Sequence, residues 1–232
     1  MKIVLVLPVY NEDKILSNSV NTLYRFMANN IKDDWQIIIA NNGSTDNTKK
    51  IAQSLSRRLP KVTLIDLEVK GRGNALKQAW QNSHSDIYAY CDIDLATDIS
   101  HIKELFEAVS RGNDIAVGSR YIGQANAKRT FLRLMLSKGY NFLAWVMFNT
   151  KIKDLQCGFK AVNLRVVDEL LPKLRDNHWF FDTELLLKAE KQGYRVKEIP
   201  VNWKESNESK VKFFNTVSDY IFKLLKQKKR IK

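Results

Sequence analysis

The sequence predicts an α/β fold built on a mostly parallel sheet with helices on both faces. Three observations predict it. Apolar runs such as Ile3-Val4-Leu5-Val6-Leu7 read as strands, and they alternate with segments of helical spacing. That rhythm suits right-handed crossovers within one sheet. The chain has 232 residues and 44% hydrophobic content, which is enough to bury the core of one such domain.

Lys2–Val9 is the first expected strand. A helix over 13–27 follows, with Ile15, Leu16, Val20, Leu23, Phe26 and Met27 at helical spacing. A second strand, 36–40, ends in the turn-rich run Asn41-Asn42-Gly43-Ser44-Thr45-Asp46, and a helix runs on through Leu59. Val62–Leu67, a glycine-rich turn and a helix from about Asn74 repeat the pattern. The buried-type run Ile87-Tyr88-Ala89-Tyr90-Cys91 and the short strand 115–117 complete the regular half. Beyond residue 120 the sequence predicts a basic, aromatic-rich helix over 129–148, a strand over 152–162, two helices and a strand over 194–203. The stretch 211–225 carries Val211, Phe214, Val217, Ile221, Leu224 and Leu225 on one helical stripe. No repeat, low-complexity tract or linker divides the chain. The expected organisation is a domain over 1–210 and an amphipathic C-terminal helix with a basic tail over 211–232.

No segment approaches the roughly 18 uninterrupted apolar residues that span a bilayer. The first strand begins at once, without a signal-peptide pattern. Cys91 and Cys157 lack metal-like spacing and suit a reducing cytosol. The expectation is a cytoplasmic protein. The net charge of +13 is concentrated. Residues 119–153 hold seven Lys/Arg and no acid, and residues 204–232 hold nine against three acids, so these segments carry the whole excess. Concentration of that kind suggests a surface that meets phosphate groups, acidic lipid or nucleic acid.

Asp92-Ile93-Asp94 follows the strand ending at Cys91. In open α/β sheets ligands sit outside the carboxyl ends of strands, so this strand delivers two acids to such a place. They are either helix-capping or loop acids, or a site for Mg²⁺, which takes carboxylate oxygens and completes its shell with phosphate and water. Pro8-Val9-Tyr10-Asn11-Glu12 closes the first strand, and Gly71-Arg72-Gly73-Asn74-Ala75 opens a helix where backbone can approach phosphate or form a plain turn. His84, His101 and His178 have no metal-pair spacing. Trp179, Phe180, Phe181 and Trp203 read most simply as core, with Trp203 able to flank a sugar, and Cys91 as a small buried residue.

These segments, with Asn42-Gly43-Ser44-Thr45-Asp46, Gly118-Ser119-Arg120-Tyr121, Asp154-Leu155-Gln156-Cys157-Gly158-Phe159-Lys160 and Phe181-Asp182-Thr183-Glu184, occur in one order. Together they resemble the family 2 inverting glycosyltransferases of GT-A fold, in the branch of dolichyl-phosphate mannose or glucose synthases and bacterial polyprenyl-phosphate relatives. The resemblance spans essentially residues 1–210. It implies that Pro8, Tyr10, Glu12, Asn42, Asp46 and Gly71 border the nucleotide. It implies that Asp92, Ile93 and Asp94 hold the sugar-nucleotide, with Asp92 and Asp94 as metal ligands for Mg²⁺ (or Mn²⁺). Arg120 and Asp182 would be catalytic, Lys204 and Lys210 would meet donor phosphate, and Arg133 and Ser137 would recognise the acceptor phosphate. Three positions depart from the family pattern: Asn41 and Asn42 stand where two acids are usual, Ala96 replaces a metal-binding Gln, and Lys204 replaces an Arg, losing a bidentate fork.

The resemblance implies hexose transfer from a UDP- or GDP-hexose to a polyprenyl or dolichyl phosphate. A phosphate acceptor is already anionic, so Asp182 and Glu184 would act as bases only for a hydroxyl acceptor. The helix from Arg129 interleaves Lys/Arg with Phe131, Met135, Phe142 and Trp145, which suits a membrane interface. The protein is therefore expected at the cytoplasmic face of the membrane, bound peripherally or through a separate membrane-protein subunit. The other readings are transfer to a glycan hydroxyl, a non-catalytic sugar-nucleotide sensor, and a nucleic-acid-binding domain. The last leaves the converging acids unexplained, so nucleic acid is not expected as a partner.

Overall fold

Aliphatic and β-branched residues without polar interruption make strands that need cover on both faces, and here they form the centre of one sheet. A computed structural model describes residues 1–128, 131–204, 222–226 and 228, with the side chains of 127–128 and 131–133 outside that description. Its strands are β1 (Lys2–Val9), β2 (Asp34–Asn42), β3 (Val62–Leu67), β4 (Ile87–Cys91), β5 (Ile115–Ser119), β6 (Ala127–Lys128), β7 (Phe159–Asn163), β8 (Val196–Pro200) and β9 (Trp203–Lys204). The helices are α1 (Leu16–Asn30), α2 (Thr48–Arg58), α3 (Arg72–Gln81), α4 (Ile102–Ser110), α5 (Phe131–Phe148) and α6 (Phe181–Lys191). The main sheet runs β3-β2-β1-β4-β7-β5-β8, and β6 pairs with β9 in a small second sheet.

β3, β2, β1 and β4 are mutually parallel, and β5 is parallel to β8. β7 is inserted between β4 and β5, antiparallel to both. That reversal places the start of β7 beside the end of β4, in the register Cys91↔Phe159. Helices α2 and α3 pack on the β1–β3 half and α4 on β5 and β7. Every residue of β4 and β5 is buried.

Most of the expected elements are present among the described residues, with displaced ends. α1 starts at Leu16 because Asn11 turns the chain at φ 55° and the Glu12 carbonyl accepts the N–H groups of Ile15 and Leu16. The strand expected over 152–162 is confined to Phe159–Asn163, since residues 149–158 form an irregular connection. A π-helical turn, Val166–Leu170, and a 3₁₀ turn, Leu171–Lys173, stand where the first of two late helices was expected. Of the stretch 211–225, only 222–225 are described, and they are helical; the remainder lies outside the described residues.

Candidate active site

The carboxyl ends of β1, β2, β3 and β4 meet at one sheet edge. Pro8 and Tyr10 are half-buried there, and Lys70 stands 3.6 Å above the Tyr10 ring. The Glu12 N–H donates to Thr48 Oγ1 at 2.8 Å, which ties the end of β1 to the start of α2. Asp94 is exposed at the end of β4, and the Asp92 side chain is 43% exposed. The Asp92 N–H donates to the Gly158 carbonyl at 3.1 Å. Leu95 then turns the chain at φ 50°, a conformation unfavourable for a side chain with a Cβ and typical of functional turns.

Behind the acids lies a buried ion network. Arg72 Nη2 holds Asp92 Oδ1 at 2.7 Å, and Arg72 Nη1 holds Asp182 Oδ2 at 2.5 Å. Lys160, wholly buried on β7, reaches Asp182 Oδ1 at 2.9 Å, donates to the Tyr90 hydroxyl at 3.1 Å and also bonds the Cys157 carbonyl. The Tyr90 hydroxyl donates to Asp182 as well. Two cations and two carboxylates balance, which is how a protein tolerates buried charge. Burial works against the charge on Arg72, but Asp92 and Asp182 hold its pKa above the ordinary guanidinium value. Burial pushes Asp182 up to about 6 against the pull of Arg72, and brings Lys160 down to about 7.

Asp94 stands outside this network. Desolvation by its surroundings, and then the charge of Asp92, push it up to about 6, although its Oδ1 accepts the Ala96 N–H at 3.1 Å. An acid raised in this way beside a second acid favours a cation. The donor set is hard oxygen, and among the described residues no group of three His, Cys, Asp or Glu side chains converges. Mg²⁺ or Mn²⁺ fits such a place, with substrate oxygens and water completing the shell. Arg72 already occupies one Asp92 oxygen, so Asp94 is the more open carboxylate.

The far side of the site is fastened by a second ion pair. Arg120 Nε and Nη2 meet Asp154 Oδ2 and Oδ1 at 2.6 and 2.7 Å, and the Arg120 N–H adds a bond of 3.1 Å. Burial alone would raise Asp154, but Arg120 holds it below the usual carboxylate range. The Arg120 guanidinium also lies 5.6 Å from the Trp203 ring. The Lys204 N–H donates to the Ala96 carbonyl at 2.8 Å, so exposed Lys204 sits next to the turn after Asp94.

Several residues singled out from sequence have other work here. Ile93 is buried, so its side chain packs in the core. Asn42 is buried and its Oδ1 accepts the Gly71 N–H at 2.5 Å, while Asp46 accepts the Thr48 N–H at 2.9 Å. Gly71 and Gly73 serve packing: a Cβ on Gly71 would lie 2.5 Å from the Asn177 carbonyl, and one on Gly73 would lie 2.8 Å from Phe181 Cβ. Both oxygens of Asp182 are taken by partners. Glu184 is buried, accepts the N–H groups of Arg175 and Asp176, and pairs with Lys188. Ser137 is buried and hydrogen-bonded with the Tyr121 hydroxyl. Trp179, expected in the core, is 45% exposed, and the loop before it is tied to the start of α3, where the Asn74 N–H donates to the Asn177 carbonyl at 3.0 Å. Cys91 is buried with its thiol pushed well up, in keeping with a packing role. The Arg133 side chain and Lys210 lie outside the described residues.

Arg72, Lys160, Tyr90 and Asp154 were not singled out as site residues. Their signal was present in the sequence: Lys160 interrupts an apolar strand and Asp154 precedes it, and a charge in such a setting needs a buried partner.

A sheet ordered in this way, with acids after its fourth strand, is an open α/β fold with a ligand edge at those acids, and comparison with known proteins names its family. Residues 4–171 match the glycosyl transferase family 2 profile, and the chain belongs to that family. It is 36% identical over 217 residues to glycosyltransferase AglD of Haloferax volcanii, covering 91% of this chain and 34% of that protein. It is 34% identical to dolichyl-phosphate beta-glucosyltransferase ALG5C of Trichomonas vaginalis, covering 89% and 65%. The chain thus spans about a third of the first relative and just under two thirds of the second. Among solved structures, glucosyl-3-phosphoglycerate synthase from Mycobacterium tuberculosis superposes with a TM-score of 0.70 at 17% identity, covering 98% of this chain and 79% of that one. A second structure of that enzyme, with Mn²⁺ and uridine-diphosphate-glucose, gives 0.68 at 16% identity, covering 98% and 78%. At such identity the match establishes the GT-A fold.

Proposed function

We propose that the chain transfers a hexose from a nucleotide-sugar to a polyprenyl phosphate at a membrane surface, with inversion and with a divalent metal at Asp94. Relatives named as dolichyl-phosphate beta-glucosyltransferases favour glucose, and UDP-glucose is bound in a solved structure of the same fold. The observation that carries the reading is the contrast between open and committed carboxylates. Asp94 is exposed at the ligand edge of the sheet, whereas Asp182 and Glu184, the base candidates for a hydroxyl acceptor, are buried and held by cations or backbone N–H groups. An acceptor that needs no base suits this arrangement, and a phosphate monoester is such an acceptor.

In this reading Tyr10 and Glu12 border the nucleoside. Asp92 is held at a fixed angle by Arg72, and Asp94 takes the metal. The metal, when bound, supplies positive charge against the leaving diphosphate. Arg72 and Lys204 give the cleft positive charge that orients the anionic acceptor for attack on the anomeric carbon. Met135, Phe142, Trp145 and Val146 are exposed along one face of α5, beside exposed Lys138, as an interfacial helix requires. Among the described residues no helix is long and apolar enough to cross a membrane.

The test is a donor panel: purified protein, Mg²⁺ or Mn²⁺, vesicles with polyprenyl phosphate, and labelled UDP- and GDP-hexoses. Labelled lipid from at least one donor is expected. Transfer to a sugar hydroxyl but never to lipid phosphate would overturn the acceptor assignment.

A further inference from the structure

Gly158 directly precedes β7, where that strand runs beside the end of β4 in the register Cys91↔Phe159. It does not have a positive φ, so its backbone conformation does not call for glycine. The space next to its Cα does. A Cβ there would lie 2.5 Å from Asp92 Cγ, 2.8 Å from Oδ1 and closer still to Oδ2, and its three nearest atoms all belong to that carboxyl group. The Asp92 carboxylate thus lies directly on bare backbone. Two further contacts hold the same residue: Arg72 Nη2 meets Oδ1 at 2.7 Å, and the Asp92 N–H donates to the Gly158 carbonyl at 3.1 Å.

The backbone under the carboxylate is itself tied down. The Cys157 carbonyl accepts a hydrogen bond from the buried Lys160 ammonium, and Cys157 and Phe159 on either side of Gly158 are wholly buried. The Asp92 side chain, 43% exposed, is the freer partner. A side chain at position 158 would therefore displace the carboxylate rather than the strand, and a displaced carboxylate leaves Arg72. Arg72 would keep Asp182, so the cost falls on the site more than on the buried network.

We propose that Gly158 is a positioning residue for the transfer reaction, its missing side chain forming the slot that turns the Asp92 carboxylate onto Arg72. The inference deepens the function proposed above and rests on it. Two acids one residue apart are interchangeable unless something separates their roles. Arg72 takes one oxygen of Asp92 and the floor at Gly158 fixes the direction of the other, while Asp94, with its Oδ1 on the Ala96 N–H, stays exposed. A carboxylate fixed beforehand needs no reorganisation as charge develops on the leaving diphosphate.

The experiment is a cycle of Gly158→Ala, Asp92→Ala and the double variant in the full chain. It reads the urea midpoint of the metal-free protein, and turnover with Mn²⁺, polyprenyl phosphate vesicles and the nucleotide-hexose that wild type uses. Gly158→Ala is expected to lower turnover about ten- to a hundredfold, as when a support one contact removed from a metal site is lost. Its midpoint should fall no further than that of Asp92→Ala, since both release the same contact with Arg72. Asp92→Ala removes all three atoms that the new Cβ would meet. In that background Gly158→Ala should leave the midpoint unchanged or slightly raised, because alanine restricts the unfolded chain. Should Gly158→Ala alone fold poorly, recovery of the midpoint in the double variant supports the inference, and failure to recover overturns it. A midpoint that falls equally in both backgrounds would make Gly158 a purely structural glycine and overturn the inference. So would turnover in Gly158→Ala within about threefold of wild type. A wild type without turnover from any UDP- or GDP-hexose would overturn the proposed function and the positioning role together.

Discussion

Two buried arginines flank the acids after β4, and they are paired differently. Arg120 and Asp154 form a closed, bidentate pair in which Asp154 has no exposed surface. Arg72 divides its fork between buried Asp182 and half-open Asp92, with Lys160 supplying the second positive charge. The closed pair can only hold structure together. The divided one holds structure at one end and presents a carboxylate to the cleft at the other. Burial of charge alone thus does not mark a functional group; an opening at one end of the network does.

The sharpest way to break this comparison is to cut the closed pair. Asp154→Ala leaves the Arg120 charge buried without its partner, and the expected loss is about 3–5 kcal/mol of folding stability. Denaturant unfolding checks it, and a loss under about 1 kcal/mol would place Arg120 in contact with solvent or substrate instead. In the divided network, Arg72→Lys keeps the charge but cannot reach two carboxylates at once. Turnover should fall about ten- to a hundredfold, as when one preorganised electrostatic contact is lost, with donor KM and unfolding midpoint less affected. Equal damage to stability and turnover would make the two clusters alike.

A smaller effect separates them by pH. Asp94 titrates at about 6 in the metal-free fold, so protons compete with the cation below that value. Metal affinity measured by titration should fall towards tenfold per pH unit as pH drops below about 6, and flatten above it. Metal-free stability should move the opposite way. The folded-state pKa is raised above 3.8, so that contribution is full below about 4 and is lost as pH rises through about 6. The smallest change expected is at α5. Phe142→Ser should weaken vesicle flotation by about tenfold, from about 1–2 kcal/mol of lost apolar burial, while UDP binding stays unchanged.

The regular half of the fold was legible because strands buried on both faces leave continuous apolar runs, and β1, β3 and β4 fall where those runs do. The acids after β4 were legible for the same reason. The direction of β7 was not, since a strand's direction is set by the connection before it rather than by its composition. Reading Gly71-Arg72-Gly73 through its glycines left a phosphate approach or a plain turn and passed over the arginine between them, whose partner Asp182 is 110 residues away. Trp179 was misplaced because an aromatic beside Phe180 and Phe181 looks like core until the loop's hydrogen bonds are known. Asn42 and Asp46 gave no sign in sequence that backbone N–H groups would occupy their oxygens.

Asp94 carries the central claim. With lipid vesicles containing polyprenyl phosphate, a divalent metal and labelled UDP-glucose, wild type should yield labelled lipid. Asp94→Ala should lower that rate by at least about a hundredfold at an unchanged unfolding midpoint. Turnover retained in Asp94→Ala within about threefold of wild type would contradict the account.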